Sequence, residues 1–244
     1  MDQQQRFNRP TKNLILAALP TDEYDSLAPH LQPISLAQGQ VLYHADEPIR
    51  QIYFLNTGMA ALLSTTAQGE TIEIAMVGNE GMLGMPIVWC CETIPYQVMV
   101  QIAGSAVAMK ASLLREEFNR HGRLHDLLLR HTYTLFGQTA QSAICNRFHT
   151  VEQRLCRWLL LTHDRTKSDR YSLTQIFLSY MLGAGRQRVN VAVGSLQEKG
   201  LIHYVRGQVS ILDRQGLEAT SCECYRSVRP VYEKTVYSAK KFFS

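Results

Sequence analysis

Arg186, Gln187, Arg188, Asn190 and Val191 fall close together in a stretch whose only nearby acid is Glu198. Their side chains are the kind that read base edges. A guanidinium can hold guanine, and a carboxamide adenine, through paired hydrogen bonds in the major groove of duplex DNA. At helical spacing Arg186, Gln187, Asn190, Val191 and Gly194 share one face, while Val189, Val193 and Leu196, with Ala192 at the margin, share the opposite one. An ordinary surface helix carries mixed charge on its outer side; this one offers planar forked donors and a glycine. The plain alternative is a helical hairpin with a β-hairpin behind it.

The flanking residues decide between these readings, because they are the parts needed to present such a helix. Thr174 is an N-cap residue for a helix over 174–182, its hydroxyl accepting from a backbone N–H left over at the helix start. Gly183, Ala184 and Gly185 make a tight turn. A second helix is expected over Arg186–Lys199, with Gly200 as the left-handed residue beyond its end. Ile202–Tyr204 and Gln208–Leu212 then read as short strands joined at Arg206-Gly207, a wing tip able to meet phosphate. Residues 173–211 therefore read as a winged helix-turn-helix, whose second helix docks in a groove of duplex DNA.

The charge balance agrees. Residues 145–244 hold 16 Lys and Arg against 8 Asp and Glu, while residues 1–144 hold 9 against 13. A basic half beside an acidic half points to a polyanionic partner for the C-terminal part alone. No apolar run is long enough to span a bilayer, and the polar start of the chain has no signal-peptide core, so a cytoplasmic protein without a membrane partner is expected. The six cysteines form no paired Cys-x-x-Cys motif and are expected to be reduced thiols.

Ahead of the winged helix the texture changes twice. After a polar tail and short helices near 12–19 and 22–28, segments at 32–36, 51–55, 60–64, 71–76, 97–102 and 105–109 alternate with Gly39, Gly58, Gly69, Gly78, Gly84 and Gly104. Short strands separated by glycine turns suggest an antiparallel β-sandwich or small barrel, able to hold a ligand or be filled by its own side chains. A helix over 111–120 follows, then a long one over 123–148, about 35–40 Å if unbroken. Its stripe of Leu124, Leu128, Leu135, Gln138 and Ser142 is a candidate two-fold seam with a second copy; packing on its own barrel is the alternative. A hinge at His149-Thr150, a helix over 151–162, a loop over 164–170, and C-terminal helices over 215–220 and 228–241 complete the expectation. The fold class is α+β. The domains are expected to be a sensor over 1–122, a dimerisation helix over 123–148 and a DNA-binding domain over 149–244.

This order of parts resembles the Crp/Fnr family of bacterial transcription regulators over roughly 31–212. Gly39, Glu47, Gly58, Gly69, Gly78 and Gly84 carry the family's cyclic-nucleotide-binding-like spacing. Leu173-Thr174, Leu182-Gly183, Arg186, Val189, Leu196 and Gly200-Leu201-Ile202 carry its helix-turn-helix pattern. The resemblance implies a homodimer on a two-fold symmetric operator, with RNA polymerase as a further partner. It also places an effector pocket at Gly84, Met85, Gln97 and Val98. Members that bind cyclic nucleotides use a Gly-Glu pair for ribose and an Arg for phosphate; Met85 and Gln97 stand at those places and argue against cyclic AMP, since an uncharged partner lacks the charge-assisted fork. The best-known members also have Glu and Arg where Gln187 and Val191 stand, so a different operator is expected. No clustered N-terminal cysteines exist to hold an iron–sulfur cluster.

Other clusters offer weaker chemistry. His121, His125 and His131 could ligate a metal, but solvated or packing roles are expected, and no metal site is assigned. Cys222 and Cys224 could form a redox-sensitive pair beside Arg226 and Arg229, or simply pack. Cys90-Cys91 is expected at a barrel edge. A cyclic-nucleotide-, redox- or metal-responsive regulator stays open as an alternative. A cupin-like metalloenzyme would rest on His44, Asp46 and Glu47 alone, in a turn. With no nucleophile–base pair in view, no enzyme is expected.

Overall fold

The computed structural model describes residues 11–228. The polar tail over 1–10 and most of the helix expected over 228–241 lie outside them. Two compact units divide the described chain: residues 11–60 with 77–136, and residues 61–76 with 137–228.

Two short helices, α1 (Leu14–Ala17) and α2 (Thr21–Leu27), precede an antiparallel sheet of β1 (Gln32–Leu36), β2 (Val41–Tyr43), β3 (Gln51–Thr65), β4 (Thr71–Val77), β5 (Met82–Leu83) and β6 (Gln97–Lys110). The strand order is β1-β6-β3-β4, with β2 also on β6 and β5 on β3. Asn13 closes the start of α1: its side-chain oxygen accepts from Ile15 and Leu16, and its amide donates to the carbonyls of Leu55 and Gly81.

The main departure from expectation is in β3 and β6. Each was expected as two strands broken by a glycine turn, at Gly58 and Gly104, and each is one long strand. Both glycines admit a close neighbour, and Gly58 also takes the left-handed backbone at φ 79°. A Cβ on Gly104 would stand 2.2 Å from the Thr57 carbonyl oxygen, and one on Gly58 would stand 2.5 Å from that of Ile102. A strand glycine can mark contact between backbones as well as a turn. Gly39 and Gly69 do turn the chain, with φ of 81° and 84°.

Four helices follow in the order α3 (Ala111–Phe118), α4 (Arg123–Phe148), α5 (Val151–Thr166) and, after β7 (Arg170–Ser172), α6 (Gln175–Leu182). Then come α7 (Arg186–Glu198), β8 (Ile202–Val205), β9 (Gln208–Ile211) and α8 (Arg214–Thr220). Glu23 accepts from the Arg123 and Leu124 amides and so fixes the start of α4. The break between α4 and α5 falls at the expected hinge. Thr150 caps α5 with a full capping box, Gln153 answering it from the third position.

α4 turns inward the same face that was expected to meet a second copy. Leu124, Leu128, Gln138 and Ser142 are buried within the chain, and Leu135 is half-buried. Gln138 takes up the backbone of Met76 in β4, accepting from its N–H at 2.5 Å and donating to its carbonyl at 3.2 Å. The exposed large apolar residues are Leu129, Tyr133, Phe136, Ile144 and, at the helix end, Phe148, with Phe136 72% exposed. The helix carries two apolar stripes, and the chain's own packing claims the one that was expected to form the seam.

Candidate nucleic-acid interface and effector pocket

The reading helix is built from local rules. Thr174 accepts from the Phe177 N–H at 3.2 Å and caps α6. Gly183 ends α6 in the left-handed region at φ 51°, and Gly185 leads into α7. A Cβ on Gly183 would meet Ile72 at 2.3 Å, so space as well as conformation selects glycine there. At the far end, the Gly200 and Leu201 amides bond back to the carbonyls of Gln197 and Leu196, with Gly200 at φ 69°. That pair of bonds is the glycine-capped helix stop the sequence suggested.

Burial divides α7 along the expected line. Val189 and Leu196 are fully buried, and Ala192 and Val193 nearly so. Arg186, Gln187, Arg188, Asn190 and Val191 are all exposed. Among the described residues, no side-chain hydrogen bond or ion pair engages the polar four of these, so their donors are unspent. Gly194 lies on the same outer side, and a Cβ there would meet nothing within 4 Å, which leaves the face low at that point.

Three devices hold α7 in place that the sequence did not disclose. Arg154 of α5 is buried and donates to the Leu182 carbonyl, an acceptor left over at the end of α6. Burial lowers the pKa of this guanidinium, with Arg188 adding to the effect. Lys199 pairs with Glu152 at the start of α5, and that hydrogen bond holds the Glu152 carboxyl below its usual range. Gln197 accepts from the Tyr204 N–H at 2.7 Å and so ties α7 to the wing.

The wing is the expected hairpin with one strand more. β8 and β9 are joined by Arg206 and Gly207, at φ 49° and 77°, the two positive values of a tight hairpin turn. β7, from a stretch expected to be mostly loop, pairs with β9 in register Tyr171↔Val209. The Leu173 N–H donates to the Gly207 carbonyl at 2.7 Å, bringing the wing tip beside Thr174. Thr174 thus stands beside Gly207 of the wing tip, 33 positions away in sequence.

The four residues assigned to an effector pocket are largely covered. Gly84, at φ 94°, starts a 3-10 helix over Met85–Trp89 whose first four residues are buried. Val98 is buried and Gln97 half-buried. Arg50 and Lys110 line an open hollow with Ile87, Arg115 and Glu92, and neither Met85 nor Gln97 is among its lining residues. Arg115 and Glu92 stand 3.7 Å apart across it. Cys90 and Cys91 follow the 3-10 helix and are exposed. His44, Asp46 and Glu47 are exposed in a turn.

The remaining histidines and cysteines sort differently from expectation. His131 is buried against the Met82 backbone, and His121 and His125 stack edge to face at 4.7 Å, with Phe118 against His125 at 4.4 Å. These are the packing roles anticipated. Cys222 and Cys224, however, are buried against Cys145, with His149 beside them. No sequence pattern flagged that cluster, because 77 positions separate Cys145 from Cys222.

Residues 33–121 match the cyclic nucleotide-binding domain family, and residues 153–220 match the Crp-like helix-turn-helix domain family. Among solved structures, FixK2 from Bradyrhizobium japonicum superposes with a TM-score of 0.67 at 17% identity, over 79% of this chain and 98% of that one. The c-di-GMP-responsive global regulator CLP of Xanthomonas campestris gives 0.62 at 14% identity, over 80% and 100%. A CRP-family transcriptional regulator of Thermus thermophilus gives 0.63 at 18% identity, over 77% and 96%. No curated protein matches the chain significantly by sequence. At these identities the structural likeness speaks for the fold, and the two domain matches, in this order on one chain, speak for the family. The chain belongs to the Crp/Fnr family of transcription regulators, with a cyclic-nucleotide-binding-type domain ahead of a DNA-binding helix-turn-helix.

Proposed function

We propose that the chain acts as a homodimer on a two-fold symmetric DNA site, with α7 of each copy in the major groove and Arg206 at flanking phosphate. The observation that carries this is the split burial of α7: an apolar face buried to the last atom at Val189 and Leu196, and an outer face of exposed forked donors. Arg186 is the guanine reader, Gln187 and Asn190 are carboxamide readers, and Val191 is an apolar contact suited to a thymine methyl. Arg188 and Thr174 flank this face and serve the backbone. Half-sites are spaced by about one helical turn, roughly 34 Å. The domain bounds are 1–122 for the sensor, 123–148 for the dimerisation helix and 149–244 for the DNA-binding part, and RNA polymerase is the further partner.

The effector is not cyclic AMP. Met85 is buried and apolar where an acid would hold ribose, and Gln97 offers no charge to a phosphate. The direct experiment is a binding-site selection on random duplexes with the purified chain. Enrichment of an inverted repeat supports the proposal, and retention of duplexes without a shared sequence overturns it. In parallel, titration calorimetry with cyclic AMP should show no saturable heat; saturable binding that also tightened operator affinity would overturn the effector reading.

A further inference from the structure

Three cysteines and one histidine, drawn from two distant parts of the chain, converge on one point. Cys145 lies in the last turn of α4 and His149 follows it by four positions, so the two side chains lie on one side of that helix end. Cys222 lies just past the end of α8, and Cys224 opens the short helical stretch over 224–228 that follows. The four donor atoms all lie within 4.8 Å of one another. Cys145 Sγ stands 3.6 Å from Cys222 Sγ, and Cys224 Sγ stands 3.4 Å from His149 Nδ1.

These distances are informative. With Zn–S bonds of about 2.3 Å and a Zn–N bond of about 2.0–2.1 Å, tetrahedral angles set donor sulfurs roughly 3.7 Å apart and sulfur and nitrogen roughly 3.5 Å apart. The Cys145–Cys222 and Cys224–His149 edges match such a tetrahedron, and the other donor pairs stay within 4.8 Å. They are also well beyond the roughly 2.05 Å of a disulfide. An iron–sulfur cluster would share the four ligands among two or four irons and spread the donors further than a single ion does.

The surroundings prepare the same site. His149 Nε2 stands 3.2 Å from Glu223 Oε1, while its Nδ1 faces Cys224 Sγ. A carboxylate behind a ligating imidazole is the usual device for fixing its tautomer and raising its basicity. The Gln141 side-chain amide donates to Cys224 Sγ at 3.0 Å and so helps to fix that side chain. Three thiolates around a dication leave one excess negative charge, and α5, which begins two positions after His149, carries Arg154 and Arg157. All three cysteines are buried, as a closed four-ligand site requires.

We infer that Cys145, His149, Cys222 and Cys224 form a tetrahedral Cys3His site for one zinc-class divalent ion. The site is structural, since all four positions are filled by protein. Binding replaces three thiol protons, which leave to solvent, and involves no change of oxidation state. Its consequence follows from chain order. Everything from α5 to α8, including the reading helix and wing, lies between Cys145 and Cys222, so the ion clips together the two ends of the DNA-reading region. Closing so long a loop through metal–ligand bonds makes folding of that region depend on the ion.

The test is metal analysis of the full chain, followed by cobalt substitution. The purified chain should carry one zinc. After chelation it should take up one Co(II) with intense visible ligand-field bands and a sulfur-to-cobalt charge-transfer band. Cys224→Ser should abolish this, while Cys156→Ser and Cys91→Ser should leave it intact. Glu223 is mostly exposed, so Glu223→Ala should fold and weaken metal affinity about 10–100-fold. Wild-type chain that is metal-free as purified and takes up no stoichiometric Co(II) overturns the inference. So does recovery of a Cys145–Cys222 disulfide from chain prepared without oxygen, or unchanged affinity in Glu223→Ala.

Discussion

Arg186 and Arg206 are both exposed arginines in the DNA-reading region, and only their positions separate their roles. Arg186 opens α7, where a guanidinium can reach two acceptors on one guanine, whereas Arg206 sits on a turn whose natural partner is phosphate. Arg186→Ala should cost about 1–3 kcal/mol per half-site and relax preference at one base pair. Arg206→Ala should weaken all sequences alike and make the salt dependence shallower, because a phosphate contact positions without reading. A binding-site selection on both variants beside wild type checks this; unchanged base preference in Arg186→Ala would remove α7 from the groove. Such residues are legible in sequence because a helix period sorts them onto one face. The Cys145, His149, Cys222 and Cys224 group is not legible in that way, since its members meet only after α4 and the segment beyond α8 have been folded together. Arg154 is a similar case: a basic residue on an amphipathic helix gives no hint that it will be buried on the Leu182 carbonyl. Arg154→Met removes that donor and leaves the carbonyl unsatisfied, with an expected loss of about 1–3 kcal/mol of stability in urea unfolding. A loss within error would mean that the carbonyl finds another partner.

Among the elements, those written by local chemistry are the ones the sequence shows best. α4 begins and ends where its periodicity does, α5 carries its capping box, and the α6–turn–α7 unit follows from Thr174, Gly183 and Gly200. The long strands β3 and β6 were less legible, because a glycine inside a strand reads the same whether it turns the chain or admits a neighbour. β7 is three residues long and has no pattern of its own; its pairing with β9 supplies its identity. Gly104 tests the close-approach account. A Cβ there faces the Thr57 backbone at 2.2 Å, and backbone cannot swing aside as a side chain would. Gly104→Ala should therefore destabilise the chain by about 1–3 kcal/mol through overpacking. Gly194→Ala, on the open outer face of α7, should leave folding intact and can only help helix propensity. Thermal unfolding of the two variants side by side decides the point, and equal midpoints would show that the strands do not need the glycine.

For the molecule as a whole the open matter is assembly, and α4 frames it. Its two apolar stripes are equally periodic, so spacing alone could not say which one its own chain would cover. The structure spends Leu124, Leu128, Gln138 and Ser142 on the interior and leaves Leu129, Tyr133, Phe136 and Ile144 outside. Steps of four, three and eight residues keep these four on one side of the helix, close to the repeat of a two-stranded seam. A contiguous exposed apolar face of this kind is a signature of an interaction surface, and a second copy would satisfy it with the two-fold symmetry that an inverted DNA repeat demands. Phe136→Asp should then give a monomer by light scattering with an unchanged circular dichroism spectrum, since Phe136 is 72% exposed in the single chain. The same variant should lose most of its operator affinity, because each half-site would have to be bound alone. Leu128→Ala supplies the contrast. That side chain is fully buried, so its loss should cost about 2–5 kcal/mol of stability while the folded fraction keeps the wild-type assembly state. If Phe136→Asp remained dimeric, or if wild type were monomeric at micromolar concentration and still bound an inverted repeat tightly, the outward stripe would not be the seam.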